Sequence, residues 1–205
     1  MKFKNLKVFK SKNIDSQEFY LSKNSNEITQ ISGYYFENTL HFYGYLTLNN
    51  FDDITHINDL LSKLYAKIKL PKFTSFGQDV FGNQFVIKDE IFYFLNIETG
   101  ELEYITNGEF DQFVEILLGD INYFTGSTLI QKYSDIDKEM LSQGYRLSPI
   151  KPFVLGGEYV NQNLFLNKYI DNLELNSSIA LQIYGLPDGQ KVIIEKIWWL
   201  GHPPR

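Results

Sequence analysis

Short apolar and aromatic runs separated by turn residues dominate the middle of the chain. Phe76-Gly77-Gln78-Asp79-Val80-Phe81-Gly82-Asn83-Gln84-Phe85 runs into Val86-Ile87-Lys88-Asp89-Glu90-Ile91-Phe92-Tyr93-Phe94-Leu95, and then into residues 96–106. The breaks at Gly82-Asn83, Lys88-Asp89-Glu90 and Glu98-Thr99-Gly100-Glu101 carry turn chemistry, so this stretch predicts a three-strand meander. Hairpin-sized gaps leave no room for a parallel crossover, which makes antiparallel pairing the expectation. Thr106-Asn107-Gly108-Glu109 follows with the spacing of a capping box. Phe110, Phe113, Val114 and Leu117 then repeat at helical intervals, predicting a helix that lies on the sheet and stops at Gly119.

On the N-terminal side, residues 33–46 read as two strands with a turn at Glu37-Asn38-Thr39. Residues 1–30 are polar, with a strand expected around Glu18–Leu21 and a helical turn before Ser32. Asp52 or Asp53 caps a helix carrying Ile54, Ile57, Leu61, Leu64 and Ile68, which Pro71 ends. Beyond Gly119 come a helical turn at Asp120–Phe124 and a polar helix from Ser127 to Leu141. The prolines of Ser148-Pro149-Ile150-Lys151-Pro152 predict an extended connector. Residues 169–184 form a helix with Ile170, Leu173, Ser177, Ala180, Leu181 and Tyr184 on one side. A turn at Leu186-Pro187-Asp188-Gly189 leads to a final strand, Lys191–Ile197. The expected class is α+β: a central antiparallel sheet, mixed pairing left open, with helices packed on it. Residues 1–118 make the core, with 1–30 atypical. Residues 119–205 make a C-terminal extension of helices and strands packed on it as one compact unit.

Composition supports a folded core, with 43% hydrophobic and 16% aromatic residues among 205. The net charge of −6 is unevenly spread. Residues 73–118 hold Asp79, Asp89, Glu90, Glu98, Glu101, Glu103, Glu109, Asp111 and Glu115 against Lys88 alone, so this segment is −8 and the remainder +2. Such a segment repels nucleic acid and attracts basic surfaces, although a solvated sheet face kept soluble by carboxylates explains the same count. With no cysteine, disulfides and thiolate chemistry are excluded. His41, His56 and His202 lack metal spacing, and no nucleophile elbow or phosphate-binding glycine loop occurs. Paired Gly156-Gly157 fits a tight turn better than a phosphate cradle. The sequence therefore points to a non-enzymatic protein without metal or cofactor. No long apolar run follows the basic start, so a cytoplasmic location without membrane contact is expected.

The spaced residues Phe76, Asp79, Phe81-Gly82, Gln84-Phe85, followed by Glu98-Thr99-Gly100-Glu101 and the helix near Phe110, resemble the core of the SUKH superfamily. Pro152-Phe153-Val154-Leu155-Gly156-Gly157-Glu158-Tyr159, Asn163-Leu164 and Leu186-Pro187-Asp188-Gly189 are similar to the C-terminal extension of one bacterial subgroup. The likeness spans roughly residues 30–195; residues 1–30 show neither the opening helix nor the Leu-Pro entry usual in that family. The resemblance implies an immunity protein of a polymorphic toxin system that binds and neutralises a cognate toxin, often a nuclease. The fungal relatives supply the alternative, an intracellular scaffold or regulatory protein-binding module without catalytic activity. A basic nuclease suits the acidic segment. The outward acids Asp89, Glu90, Glu98, Glu101 and Glu103, with Tyr93, are therefore the expected partner-binding residues. Phe76, Asp79, Phe81, Gly82, Gln84, Phe85, Gly156 and Gly157 are expected to be structural. Monomer and weak dimer both remain open.

Overall fold

Seven strands run in sequence order across one sheet, every neighbouring pair antiparallel. They are β1 (Val8–Lys10), β2 (Tyr34–Phe36), β3 (Leu40–Phe42), β4 (Thr74–Gln78), β5 (Gln84–Lys88), β6 (Ile91–Asn96) and β7 (Glu101–Thr106). A separate antiparallel pair joins β8 (Tyr145–Pro149) to β9 (Leu164–Lys168). The helices of the described residues are α1 (Ile54–Leu64), α2 (Phe110–Gly119), α3 (Ile121–Thr125), α4 (Ser127–Lys132), α5 (Lys138–Leu141) and α6 (Tyr169–Ile183). This computed structural model describes residues 8–10, 33–36, 39–44, 53–132, 138–141, 143–187 and 189–194. The protein is α+β, and among the described residues no helix is long and apolar enough to cross a membrane.

The expected meander forms, with its three runs giving four strands because the first one folds back at residues 79–83. Lys88 pairs with Ile91, leaving Asp89 and Glu90 as a two-residue loop, both in the left-handed region (φ 50° and 63°). That is the turn whose twist matches antiparallel strands. In β4 and β5 successive positions are buried rather than alternate ones, so both faces of these strands are covered. On one side lies α2, whose Phe113 ring sits 4.8 Å from Phe92, 5.5 Å from Phe76 and 5.8 Å from Phe85. Ile57 and Leu61 of α1, and Leu173 and Ala180 of α6, join the same core.

Strand β3 pairs with β4 only at Gly77 and Gln78, so the backbone of Ser75 has no neighbouring strand on that edge. Asn58 of α1 takes the strand's place. Its Oδ1 accepts from the Ser75 N–H at 2.7 Å, and its Nδ2 donates to the Ser75 carbonyl at 2.8 Å. A second, smaller core forms where Val80 and Phe81, in the loop between β4 and β5, meet Ile130, Leu141 and Leu147. There the Leu147 N–H donates to the Val80 carbonyl at 2.8 Å.

Several expectations change. Thr106 ends β7, and Glu109 stands at the N-cap of α2 without a side-chain cap bond. Instead of capping, Thr106 Oγ1 accepts from the Gly108 N–H and donates to Gln112, because its residue still belongs to the ladder. Asp53 is the cap of α1, accepting from the His56 N–H, but the helix ends at Leu64, before Pro71, in a 3-10 turn. The Ser127–Leu141 stretch holds two helices, with residues 133–137 outside the described set. The first part of the predicted connector, Ser148-Pro149, belongs to β8. Helix α6 buries Asn172 and Asn176 and leaves Leu181 and Tyr184 exposed, since its inner face meets polar β8 as well as the apolar core. Residues 191–194 form no strand. The expected strand at Glu18–Leu21, the turn before Ser32 and most of the Glu37-Asn38-Thr39 turn lie outside the described residues.

Phe113→Ala is expected to cost about 3–5 kcal/mol in urea unfolding, as for other large-to-small aromatic changes in a core. Asn58→Ala removes both bonds to Ser75 and is expected to cost about 1–3 kcal/mol. Exposed Tyr104→Ala should shift the midpoint little.

Candidate functional site

Loop 79–83 is built around a buried carboxyl. Asp79 Oδ1 accepts from the N–H groups of Phe81 (2.9 Å) and Asn83 (2.8 Å), and Oδ2 accepts from Asn83 Nδ2 (2.8 Å). Gly82 turns the chain at φ +90°, and a Cβ there would stand 2.4 Å from Asn172 Oδ1. Gln84, fully buried, ties the loop to the sheet, donating to the Gly82 carbonyl while its Oε1 accepts from the Tyr43 and Ser75 hydroxyls. Burial pushes the Asp79 carboxyl up to about 7, against the opposing hydrogen bonds from Asn83 and Phe81 and the nearby Arg146 charge.

Arg146 of β8 is itself only 2% exposed. Its guanidinium donates to the Leu141 and Tyr145 carbonyls and, at 3.0 Å, to His41 Nδ1. Gln78 Nε2 approaches the same nitrogen at 3.2 Å. Two donors on Nδ1 require that nitrogen to be unprotonated, so the His41 proton sits on Nε2. The interior thus holds a cation and an imidazole joined by a long-range contact, and a carboxyl held within its own loop.

Of the expected partner-binding residues, Asp89, Glu90, Glu101 and Glu103 are exposed, and Tyr93 is half-buried against Tyr104. Asp89 is engaged by Lys88 Nζ at 2.8 Å. Glu103 accepts from the exposed Tyr123 hydroxyl, which that bond pushes up to about 12. Glu98 corrects the expectation. It is 6% exposed, and its two oxygens accept from the Phe153 and Val154 N–H groups at 3.2 and 2.8 Å. A turn carboxylate that satisfies two backbone donors of a distant loop is a fastener, withheld from any flat contact surface. Burial raises its pKa, and those two hydrogen bonds oppose the rise.

Between the β6–β7 turn and residues 153–159 lies a cavity of about 250 Å³, lined in part by Phe81, Asn96, Glu98, Phe153, Tyr159 and Asn176. Tyr159 stacks on Phe153 at 3.8 Å, and Phe81 meets both rings edge-on. Gly156 closes the 3-10 turn Phe153–Leu155. Gly157 lies where a Cβ would meet the Lys151 carbonyl at 1.9 Å, so both glycines serve a tight turn. Phe76, Phe81 and Phe85 are buried in the two cores, Asp79 and Gly82 lie in the loop between β4 and β5, and Gln84 opens β5.

His41, read from the sequence as a packed strand residue and not a ligand, is buried in β3, whereas sequence reasoning missed Arg146, Asn172 and Asn176. The one local signal was Asn172 and Asn176 at an i, i+4 spacing beside Leu173 and Ala180, a polar stripe on an otherwise apolar face. Among the described residues no group of three His, Asp or Glu side chains is arranged to hold a metal ion. No protein-family model matches the chain, and no curated protein matches it significantly.

Asp79 ionises at a higher pH folded than unfolded, and Glu98 shifts in the same direction. Their contribution to stability is therefore complete below the ordinary carboxylate range and is lost as pH rises, for Asp79 through about 7. Unfolding free energy should fall by a few kcal/mol between pH 4 and about 7.5. Asp79→Asn should flatten that slope while lowering stability at pH 5 by about 1 kcal/mol, since one acceptor for Asn83 is lost. Urea titrations across this range, with carboxyl carbon shifts of Asp79, check both.

Proposed function

We propose that the protein is a cytoplasmic immunity protein that binds a cognate toxin, a basic nuclease domain, and neutralises it through an acidic surface at the β7 edge of the sheet. The observation that carries this reading is the distribution of charge. From Asp89 to Gln131 the sequence contains no lysine or arginine, and eight of its nine acids are exposed: Asp89, Glu90, Glu101, Glu103, Glu109, Asp111, Glu115 and Asp120. They lie at the β5–β6 turn, on β7, the last strand of the sheet, and on and between α2 and α3 after it.

Exposed Tyr104 and Tyr123 stand among these acids, and tyrosine offers large contact area at low entropy cost. A nuclease that grips phosphate is basic, so single-sign charge on its inhibitor accelerates encounter and occupies the surface that nucleic acid would use. The same charge disfavours nucleic acid as a partner of this chain. The resemblance of the loop and turn motifs to the SUKH core supports the same reading.

The test is calorimetry and growth rescue with the nuclease domain of a toxin encoded beside the gene. Tight binding that weakens with added salt, and rescue of growth, are the expected results. Glu101→Lys with Glu103→Lys should slow association at least about tenfold at low salt, whereas Glu174→Lys on exposed α6 should not. Absence of binding and rescue, or insensitivity to the paired reversal, would overturn the proposal.

A further inference from the structure

The cavity behind the β6–β7 turn has an unbalanced lining. Among the described residues its walls supply the Glu98 carboxylate and three aromatic rings, and no lysine, arginine or histidine. Each Glu98 oxygen accepts one backbone N–H, which leaves each with a further lone pair. Asn176, 2% exposed, also lines the cavity. Its Nδ2 donates to the Asn172 carbonyl, and its Oδ1 is a buried acceptor with no donor. That oxygen has no surface open to the cavity, so Asn176 contributes to the wall and the ligating group of the lining is Glu98.

Two further features set the sign and shape of a ligand there. The Tyr159 hydroxyl is shifted upward by burial and then by the charges of Glu98 and Asp79, of which Glu98 lines the cavity. Phe81, Phe153 and Tyr159 form one aromatic wall, with ring centres 3.8–5.6 Å apart. A carboxylate with an open lone pair on each oxygen and ring faces together match a planar cation with paired N–H donors, which stacks as well as it hydrogen-bonds.

We propose that this cavity is a receptor for a single guanidinium group, held by Glu98 and packed against the Phe81, Phe153 and Tyr159 rings. The two carboxylate oxygens take the paired N–H groups of one edge of the fork. Assigning the guanidinium to an arginine side chain on a basic protein rests on the immunity reading; the cavity's own chemistry does not depend on it. Thr99, which lines the cavity, lies two residues before Glu101, so an arginine docked here would anchor a partner beside the acidic edge.

The experiment is an NMR titration of the full chain with acetyl-arginine-amide, with acetyl-citrulline-amide as the neutral isostere and free arginine as a small-molecule source. Saturable shifts at Thr99, Phe153 and the Asn176 side-chain amide are expected with the arginine amide, and at least about tenfold weaker binding with citrulline. Glu98→Gln should weaken binding by a similar factor. Because that change risks the fold, Tyr159→Leu at a 60% exposed position serves as a second variant and should weaken binding severalfold with unfolding unchanged.

No saturable shift at these residues, equal binding of citrulline, or indifference to both variants would each overturn the proposal. Preference for the capped over the free amino acid identifies a protein-borne arginine, and the reverse identifies a small guanidino compound. Failure of the immunity reading would appear separately, as loss of nuclease binding with acetyl-arginine-amide still bound.

Discussion

Burial of β4 and β5 on both faces is the constraint to which the surrounding elements answer. A strand covered on two sides has no solvent to satisfy stray backbone groups, so each edge and each turn must find an internal partner. Where β3 stops short, Asn58 supplies to Ser75 the donor and acceptor that a longer strand would have given. Where the two strands connect, Asp79 holds the N–H groups of Phe81 and Asn83, and Gln84 holds the Gly82 carbonyl. The same turn projects Val80 and Phe81 into a second core, which is how β8 and the short helices α4 and α5 are fastened to the sheet.

That arrangement divides the acids of the central segment into two populations. Asp79 and Glu98 lie inside, where each satisfies two backbone donors and where desolvation opposes ionisation. The others lie on the outside of the last strand and the helices after it, where their charge costs little and acts at a distance. A single count of net charge merges the two. Only the outer population can steer a partner, whereas the inner one shapes a loop and a cavity. Glu98 belongs to the inner group even though its turn sequence, Glu98-Thr99-Gly100-Glu101, reads as exposed.

Buried polarity extends beyond the carboxyls. Arg146 and His41, 105 positions apart in sequence, share a hydrogen bond inside the molecule. Asn172 and Ser148 share another between α6 and β8. Polar contacts of this kind are directional, so they fix how the C-terminal helix and hairpin sit against the sheet more narrowly than apolar packing alone would. The one glycine of the loop with a left-handed φ, Gly82, is part of the same fit, since any side chain there would strike Asn172.

The sequence by itself determined the meander, its turns and the helix after it. Runs such as Phe92-Tyr93-Phe94, turn pairs such as Asp89-Glu90 and the spacing of Phe110, Phe113 and Val114 act between near neighbours, and local periodicity records them. It also determined the α+β class and the concentration of acids in the centre. The inner or outer position of each polar residue was decided only by tertiary structure. Glu98 is buried because residues 153–154 fold back onto its turn, Thr106 joins β7 because the ladder continues past the expected cap, and Asn176 faces a cavity because β8 pairs with β9 beside it. Contacts between residues 55 or more positions apart leave no trace in local pattern, and it is those contacts that build the cavity and uncover the acidic edge.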